Sequence, residues 1–504
     1  MAVNLDDLVS FDGSPAFEHR AYMLDISRDR VPTIETLHWL VDVLAALRYS
    51  ELQLYTEHTY AFAGHEAVWA EASPLTADDL RGLSGYAAER GVTLVANLNT
   101  FGHMERWLTR EGYRDRAECP DGPPADLGFI REPSCLAPNP ANAEFAVALA
   151  RELLEVLPTG RVMIGGDEPF ELGHGVSAPL AAEIGRDSLY REHLGRIIEP
   201  LLAEGHEVLF WGDQFRIDPA SVEWIPDGAT CVIWNYEAPS DTGGLYGLLP
   251  PSMATALGLP SDAHLGFESH ARLGFESGKP VWLAAGTSTW NTFLGRNTNA
   301  AGNIDDAAVV GSAHRAAGLM VTDWGDNGHW QPLAVSLPSM VRGGVAGWSG
   351  RAVDSTVAVG AIVDRLLGAP DGTGALIDGL GRVCDDLGLL GINGAPIFHA
   401  AIDTGLGSVG ALDRAEAQRV HTEIEDAARH FAAQVDATRW GGHAQELAAA
   451  CGAASLGVRA LLGDRPAGAD RAQVIDAQRA AWLRSSRPGG LSDSLGRLLG
   501  SRHG

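Results

Sequence analysis

Between residues 21 and 326, eight short β-prone runs recur, each followed by a segment with helical apolar spacing. The runs are AYMLDIS (21–27), ELQLYTE (51–57), TLVANLN (93–99), RVMIGGD (161–167), EVLFWGD (207–213), TCVIWNYE (230–237), PVWLAAGT (280–287) and GLMVTDWGD (318–326). Helical segments such as TIETLHWLVDVLAALR (33–48) and TADDLRGLSGYAAER (76–90) lie between them. The second opens on Thr76 with Asp79 three residues on, close to a capping box, before apolar positions at helical intervals. Such alternation implies a parallel sheet, and eight units closing on themselves imply a (β/α)8 TIM barrel. Beyond about residue 352 the strand signal stops and Ala-rich helical stretches follow at 352–368, 413–436, 443–463 and 468–486. The predicted organisation is thus α/β, a catalytic barrel over 1–351 and an α-helical C-terminal domain over 352–504, packed on the barrel or on another subunit in a homodimer.

Most of these strands finish on polar or aromatic residues: Asp25, Glu57, Asn99, Asp167 with Glu168, Trp211 to Asp213, Trp234 to Tyr236, and Asp323 to Asp326. One polar strand end only meets solvent. Taken jointly they outline a site at the C-terminal face, where barrel enzymes place their chemistry. The Pro- and Gly-rich stretch from about 100 to 141 is long enough for a lid over that face or for disorder. A short duplication, LGFES at 265–269 and 273–277, reads as local.

Charge narrows the partners. The chain has 37 Lys and Arg against 65 Asp and Glu, a formal −28, which repels nucleic acid and anionic membranes. No apolar run is long enough to span a bilayer. The N-terminal MAVNLDDLVSFDGSP lacks the basic and apolar regions of a signal peptide, and the five cysteines are scattered without metal or disulfide spacing. These features predict a cytoplasmic protein with no membrane partner. No His-x-His follows the first strand and no tight His cluster occurs, so no metal or cofactor is expected.

The adjacent acids Asp167 and Glu168 demand a reason. A helix start would account for one carboxylate near its N-terminus, hardly for two directly after Gly165 and Gly166, which let a ligand come close. Glycoside cleavage needs a general acid and a group that stabilises an oxocarbenium-like centre. Neighbouring residues, with Cα atoms about 3.8 Å apart, approach from one side and cannot flank a scissile bond. A partner acid must therefore lie elsewhere, or the nucleophile must belong to the substrate, as the carbonyl of a 2-acetamido sugar can. In the second case Asp167 would orient the acetamido N–H, Glu168 would protonate the leaving oxygen, and Tyr236 would donate its hydroxyl to the acetamido oxygen. Trp211, Trp234, Trp290 and Trp324, at or past late strand ends, would face the apolar side of a pyranose, though each also reads as a core aromatic.

The segment GGDE (165–168) resembles the acid-bearing strand of family 20 glycoside hydrolases, the β-N-acetylhexosaminidases. LQLYTEHTYAF (52–62), VIWNYE (232–237) and VTDWGDNGHW (321–330) resemble a subgroup that lacks the usual N-terminal α/β domain and ends in a helical domain. RAYMLDISRDRVP (20–32) is similar to the first-strand signature, and NTFGHMERW (99–107) to the segment ending in Gly-His. The likeness covers roughly residues 18–350. It implies an exo-acting retaining β-N-acetylhexosaminidase using Asp167, Glu168 and Tyr236 in substrate-assisted catalysis on a small oligosaccharide or glycoconjugate. It further implies Arg20 on sugar hydroxyls, His103 near the general acid, Asp326 on outer hydroxyls, and Trp290 and Trp324 as subsite walls. Glu57–His58 stands where the subgroup usually reads Glu-Asp, and His329 and Trp330 where it tends to carry a Glu; GlcNAc, GalNAc and modified sugars stay open. Two other readings also remain. One is a two-carboxylate glycosidase pairing Glu57 with Glu168, and the other a sugar-binding barrel without catalysis. Phosphorylated substrates fit poorly, because the last two loops carry acids and aromatics.

Overall fold

A computed structural model describes residues 3–28, 30–124, 127, 130, 132–213, 223–240, 246, 262–464 and 466–499. Eight parallel strands close into a barrel in sequence order: β1 (His19–Asp25), β2 (Glu51–Thr56), β3 (Thr93–Leu98), β4 (Arg161–Met163), β5 (Glu207–Trp211), β6 (Ala229–Trp234), β7 (Val281–Gly286) and β8 (Gly318–Asp323). Closure is made by β1 lying between β2 and β8, with Ala21 opposite Glu51 on one side and Met320 on the other. All eight predicted runs are barrel strands, and Thr76 and Asp79 form the capping box that starts the helix Ala77–Ala88. The two LGFES copies fall in consecutive short helices, Phe267–His270 and Arg272–Glu276.

Alternation along each strand divides the apolar residues. Ala21, Met23, Tyr55, Met163, Leu209, Trp211, Val232, Trp282, Ala284 and Met320 fill the barrel, and the other faces join the larger core under the helices. A charged floor closes the N-terminal end. His19 and Arg161 both reach Glu51 (2.7 and 2.5 Å), Arg161 also reaches Glu207, and His19 stacks on Trp282. With that end plugged, an opening into the barrel lies at the other face.

The C-terminal region is mostly helical, with Val359–Leu367, Arg414–Ala432, Arg439–Leu461 and Gly468–Ser485 near the predicted stretches. It also contains strands. An antiparallel ladder pairs β9 (Leu389–Gly391) with β10 (Ser408–Gly410), too short and Gly-rich to read as strands from sequence. A buried ion pair helps bind this region to the barrel. Arg30, 6% exposed, gives Nη2 to Glu446 Oε1 at 3.0 Å, Nε to Ser486 and Nη1 to the Gln331 carbonyl; Glu446 is 5% exposed.

Removing one partner of a buried pair strands the other charge without water. Glu446→Ala should cost about 3–5 kcal/mol. At an unfolding entropy of about 2.1 cal/mol/K per residue, that lowers the melting temperature by roughly 3–5 °C. Asp7→Ala, which breaks the exposed pair with Arg365, should leave it unchanged. Equal melting shifts for the two variants in scanning calorimetry would refute the role given to Glu446.

Candidate active site

The turn after β4 decides the site. Strand geometry ends at Met163, and Gly165 and Gly166 then take φ of 72° and 88°. A Cβ on Gly165 would lie 2.4 Å from Asn99 Oδ1, so a side chain is excluded by space as well as by backbone conformation. Glu168 is itself left-handed, with φ of 47°. These departures bring both acids to one imidazole: His103 Nε2 lies 3.3 Å from Asp167 Oδ2 and 3.5 Å from Glu168 Oε2. Asn99, past the end of β3, donates to Asp167 Oδ1 at 3.2 Å and to the Tyr55 hydroxyl at 3.0 Å. Gly102 lets the β3 turn approach, since a Cβ there would meet the Asp167 carbonyl at 2.5 Å.

Burial alone would keep His103 neutral and Asp167 protonated. Their mutual attraction outweighs it, holding the imidazole well above and the carboxyl below their usual ranges. Arg28 Nη2 sits 3.3 Å from His103 Nδ1, a contact that suits a neutral ring. Two carboxylates at Nε2 against one guanidinium at Nδ1 leave the charged form favoured.

Arg28 occupies the centre of the mouth. Its guanidinium lies 4.9 Å over the Tyr55 ring and 5.4 Å over Trp324, and it pairs with Asp25 at 3.2 Å and Glu57 at 3.3 Å. Asp25 also accepts from the Gly325 amide at 3.0 Å, tying the exit of β1 to that of β8. Glu57 accepts from the Tyr55 hydroxyl at 2.9 Å, and burial lifts its carboxyl to about 7 against the pull of Arg28.

An aromatic wall stands across the mouth. Trp234 stacks on Tyr236 with centroids 5.3 Å apart, Trp290 meets Tyr236 edge-on at 5.0 Å, and Trp324 Nε1 donates to the Tyr236 hydroxyl at 2.9 Å. Gly286 ends β7 because a Cβ there would sit 2.4 Å from the Trp290 ring. Burial, with the charges of Asp167 and Glu168, keeps the Tyr236 phenol protonated. Asp326, just past Trp324, accepts amide N–H groups from Asn291 at 3.1 Å and Asn393 at 3.2 Å.

Nine expected residues therefore gather at the C-terminal mouth: Glu57, His103, Asp167, Glu168, Trp234, Tyr236, Trp290, Trp324 and Asp326. Trp211 lies beneath them, fully buried in the barrel and 6.0 Å from the Trp324 ring, as a floor residue. Arg20 is not among them. It is the second residue of β1, at the opposite end of the barrel, where it donates to the carbonyls of Phe17 and Arg48 and covers Trp348. A parallel strand carries its first residues away from the mouth, and the arginine that reaches the site is Arg28, eight residues on. His329 and Trp330 do not line the mouth either; both are buried, and Trp330 packs edge-on against Phe293.

The described parts of the 100–141 stretch are fastened rather than loose. Trp107 Nε1 donates to the Glu57 carbonyl at 2.7 Å, and Glu171 accepts from the backbone of Ser134 and Cys135. Residues 125–126, 128–129 and 131 lie outside the described residues. Among the described residues ten non-glycine residues have positive φ, and seven of them (His103, Glu168, Ser288, Asn291, Asp326, His329 and Asn393) belong to the turns after β3, β4, β7 and β8 or to the contacts around them. A cavity of about 420 Å³ opens elsewhere, beside Arg30, Trp39, His443 and Glu446, and holds none of the paired acids. Among the described residues no group of three or more His, Cys, Asp or Glu is placed to hold a metal ion, and no helix is long and apolar enough to cross a membrane.

Residues 17–244 match the family model of the glycosyl hydrolase family 20 catalytic domain, a span with both acids and Tyr236. No curated protein matches the sequence. Among solved structures, a β-N-acetylhexosaminidase from Bacteroides fragilis is similar at 17% identity and TM-score 0.51, covering 70% of this chain and 71% of its own. A chitobiase from Flavobacterium johnsoniae is similar at 14% identity and TM-score 0.50, over 92% and 75%. An inactive mutant of a Vibrio harveyi exo-β-N-acetylglucosaminidase is similar at 14% identity and TM-score 0.51, over 73% of this chain and 59% of its own. At these identities the likeness is one of fold.

The ionisation pattern is directly measurable. His103 should remain protonated at pH 7, while burial holds His58 and His193 near 3 and His329 near 4, so those rings stay neutral. NMR titration of ¹³C-labelled histidines, assigned with His103→Gln, checks this. A ring at 103 that is neutral at pH 7 would break the proposed ion pair.

Proposed function

We propose that the protein is a family 20 glycoside hydrolase: an exo-acting, retaining β-N-acetylhexosaminidase that removes terminal β-linked GlcNAc or GalNAc by substrate assistance. The observation that carries this reading is the sharing of one imidazole by consecutive acids, opposite a phenol fixed by an indole N–H. That layout serves a substrate whose reacting groups are adjacent atoms of one sugar. The match of residues 17–244 to the family model supports it.

In the first half-reaction the acetamido oxygen attacks the anomeric carbon as the glycosidic bond breaks. Asp167 accepts the acetamido N–H and stabilises the positive charge that spreads onto nitrogen. The Tyr236 hydroxyl donates to the attacking oxygen and aims it, and Trp324 holds that hydroxyl in place. Glu168 gives its proton to the departing oxygen. In the second half-reaction the Glu168 carboxylate takes a proton from water, which opens the cyclic intermediate with retention. His103, tied to both acids, keeps them in register and favours the ionised form of Asp167. Glu57 is occupied by Arg28 and Tyr55, which argues against it as a second, nucleophilic carboxylate.

The acids and the phenol should separate in kinetics. Glu168→Gln removes the proton donor and should lower kcat on aryl β-GlcNAc by about 10²–10⁴. Asp167→Asn and Tyr236→Phe remove charge stabilisation and a positioned donor, each costing about 10²–10³. A thiazoline mimic of the cyclic intermediate should inhibit competitively. Near-normal turnover by Asp167→Asn, or indifference to the thiazoline, overturns substrate assistance.

A further inference from the structure

The C-terminal region meets the turn after β8 through Ser494 and Arg497, which bond Gly328 and Asn327, and it reaches the aromatic wall and Asp326 through Asn393. Between β9 and the helix Pro396–Ala401, Asn393 lies against the turns after β7 and β8. Its Oδ1 accepts from Trp290 Nε1 at 2.9 Å, its Nδ2 donates to Asp326 Oδ2 at 3.2 Å, and its carbonyl accepts from Asn291 Nδ2 at 2.8 Å. Asn291 in turn donates to the same Asp326 oxygen at 3.1 Å, and its carbonyl receives the Ala395 amide at 2.9 Å. The contact is tight, since a Cβ on Gly394 would lie 2.5 Å from Asn291 Cβ. Asn393 has φ of 50°, a conformation asparagine tolerates better than most residues.

An amide side chain suits this position. Trp290 needs an acceptor and Asp326 a donor, and an amide offers both from one planar group. With both amide donors on Oδ2, Asp326 keeps Oδ1 for a ligand. Its carboxylate would otherwise turn about the terminal bond, which has no strong rotamer preference.

We infer that Asn393 is a positioning residue that sets sugar discrimination, fixing Asp326 and Trp290 together so that the C-terminal region completes the subsite for the terminal sugar. This rests on the reading that the mouth binds such a sugar. The role is one of binding more than of rate: Asn393 touches neither paired acid, and the groups it holds face the outer hydroxyls of the ring. Asp326 is faced by Asp25 at the end of β1 and Arg28 from the turn that follows, by Glu168 from the turn after β4, and by Asn291 and Asn393. Burial raises its carboxyl to about 6, helped by Asp25 and Glu168, while Arg28 and the Asn393 amide pull it down. Losing that amide moves the titration upward, so the acid limb of kcat/KM should shift to higher pH.

The test compares Asn393→Asp, Asn393→Ala, Asp326→Asn and the double variant Asn393→Asp with Asp326→Asn on aryl β-GlcNAc and aryl β-GalNAc. Asn393→Asp is close to isosteric, keeps the acceptor for Trp290 and tolerates the same backbone conformation, but it replaces the donor to Asp326 by a second carboxyl group, while Asn393→Ala removes the donor without adding charge. Hydrogen bonds to charged groups set the scale, so KM should rise roughly 10-fold or more in both Asn393 variants. Turnover should stay within about threefold of wild type, and the preference between the two 4-epimers should change. The double variant, with amide and carboxylate exchanged, should bind no worse than Asp326→Asn alone, the non-additivity of a contacting pair. Unchanged KM with unchanged epimer preference, loss confined to kcat, or additive effects would each overturn the inference. If Asn393→Asp does not fold, the epimer preference of Asn393→Ala decides. If wild type cleaves neither glycoside, the functional reading fails by itself, and the Kd for N-acetylglucosamine, read by tryptophan fluorescence across the same variants, decides on Asn393. Equal Kd values, or no binding by wild type, overturn it.

Discussion

Two consecutive residues of an extended chain point to opposite faces of a sheet, so a strand cannot present Asp167 and Glu168 to the same cavity. The rest of the site depends on how the protein escapes this rule. β4 is cut to three residues, and the chain then runs through two left-handed glycines and a left-handed glutamate. The cost is backbone strain at Glu168, of order 1–3 kcal/mol for such conformations. It is offset locally by bonds from Asn99 to the first acid and from the Glu168 amide to Asp213 Oδ2 at 3.2 Å.

The same turn explains why the site is cationic at one point and acidic around it. Two carboxylates forced together need a cation between them, and His103 supplies it only because Asp167 and Glu168 sustain its proton. Arg28 performs the corresponding task for Asp25 and Glu57. Because Arg28 also lies over Tyr55 and Trp324, it joins the acidic half of the mouth to the aromatic half. Its guanidinium is partly buried and engaged on several sides, so it works as a structural hub.

Much of this was legible in the sequence. The eight runs point to the barrel because hydrophobic periodicity and strand direction are local properties, and Asp167, Glu168 and Tyr236 could be placed because each lies a few residues past the end of a strand. Arg20 was misplaced for want of that same rule. With a rise of about 3.3 Å per residue, a residue at the start of β1 lies roughly 20 Å from the mouth, and the arginine after the strand, Arg28, was the one to choose. Trp211 shows the limit of strand-end reasoning, since the last residue of a strand may point inward as easily as up. Asn393 and the β9–β10 ladder carried no local signal. Their position depends on a contact between residues 291 and 393, which only the folded chain brings together.

Electrostatics joins these features to the chemistry. Asp25, Glu57, Asp167, Glu168 and Asp326 surround the mouth, and Arg28 and His103 are the cations set among them. A neutral sugar entering such a pocket gains little from its sign. In the substrate-assisted reaction proposed above, an oxocarbenium-like centre with charge spreading onto the acetamido nitrogen would gain a great deal, because prearranged acceptors need no reorganisation when that charge appears. His103 holds the Asp167 carboxyl below its usual range, and Arg28 pulls against the burial that raises Glu57 and Asp326. A pocket that was merely acidic would protonate itself on burial. By setting one partly buried cation against each acid cluster, the fold limits that protonation and keeps Asp167 ionised.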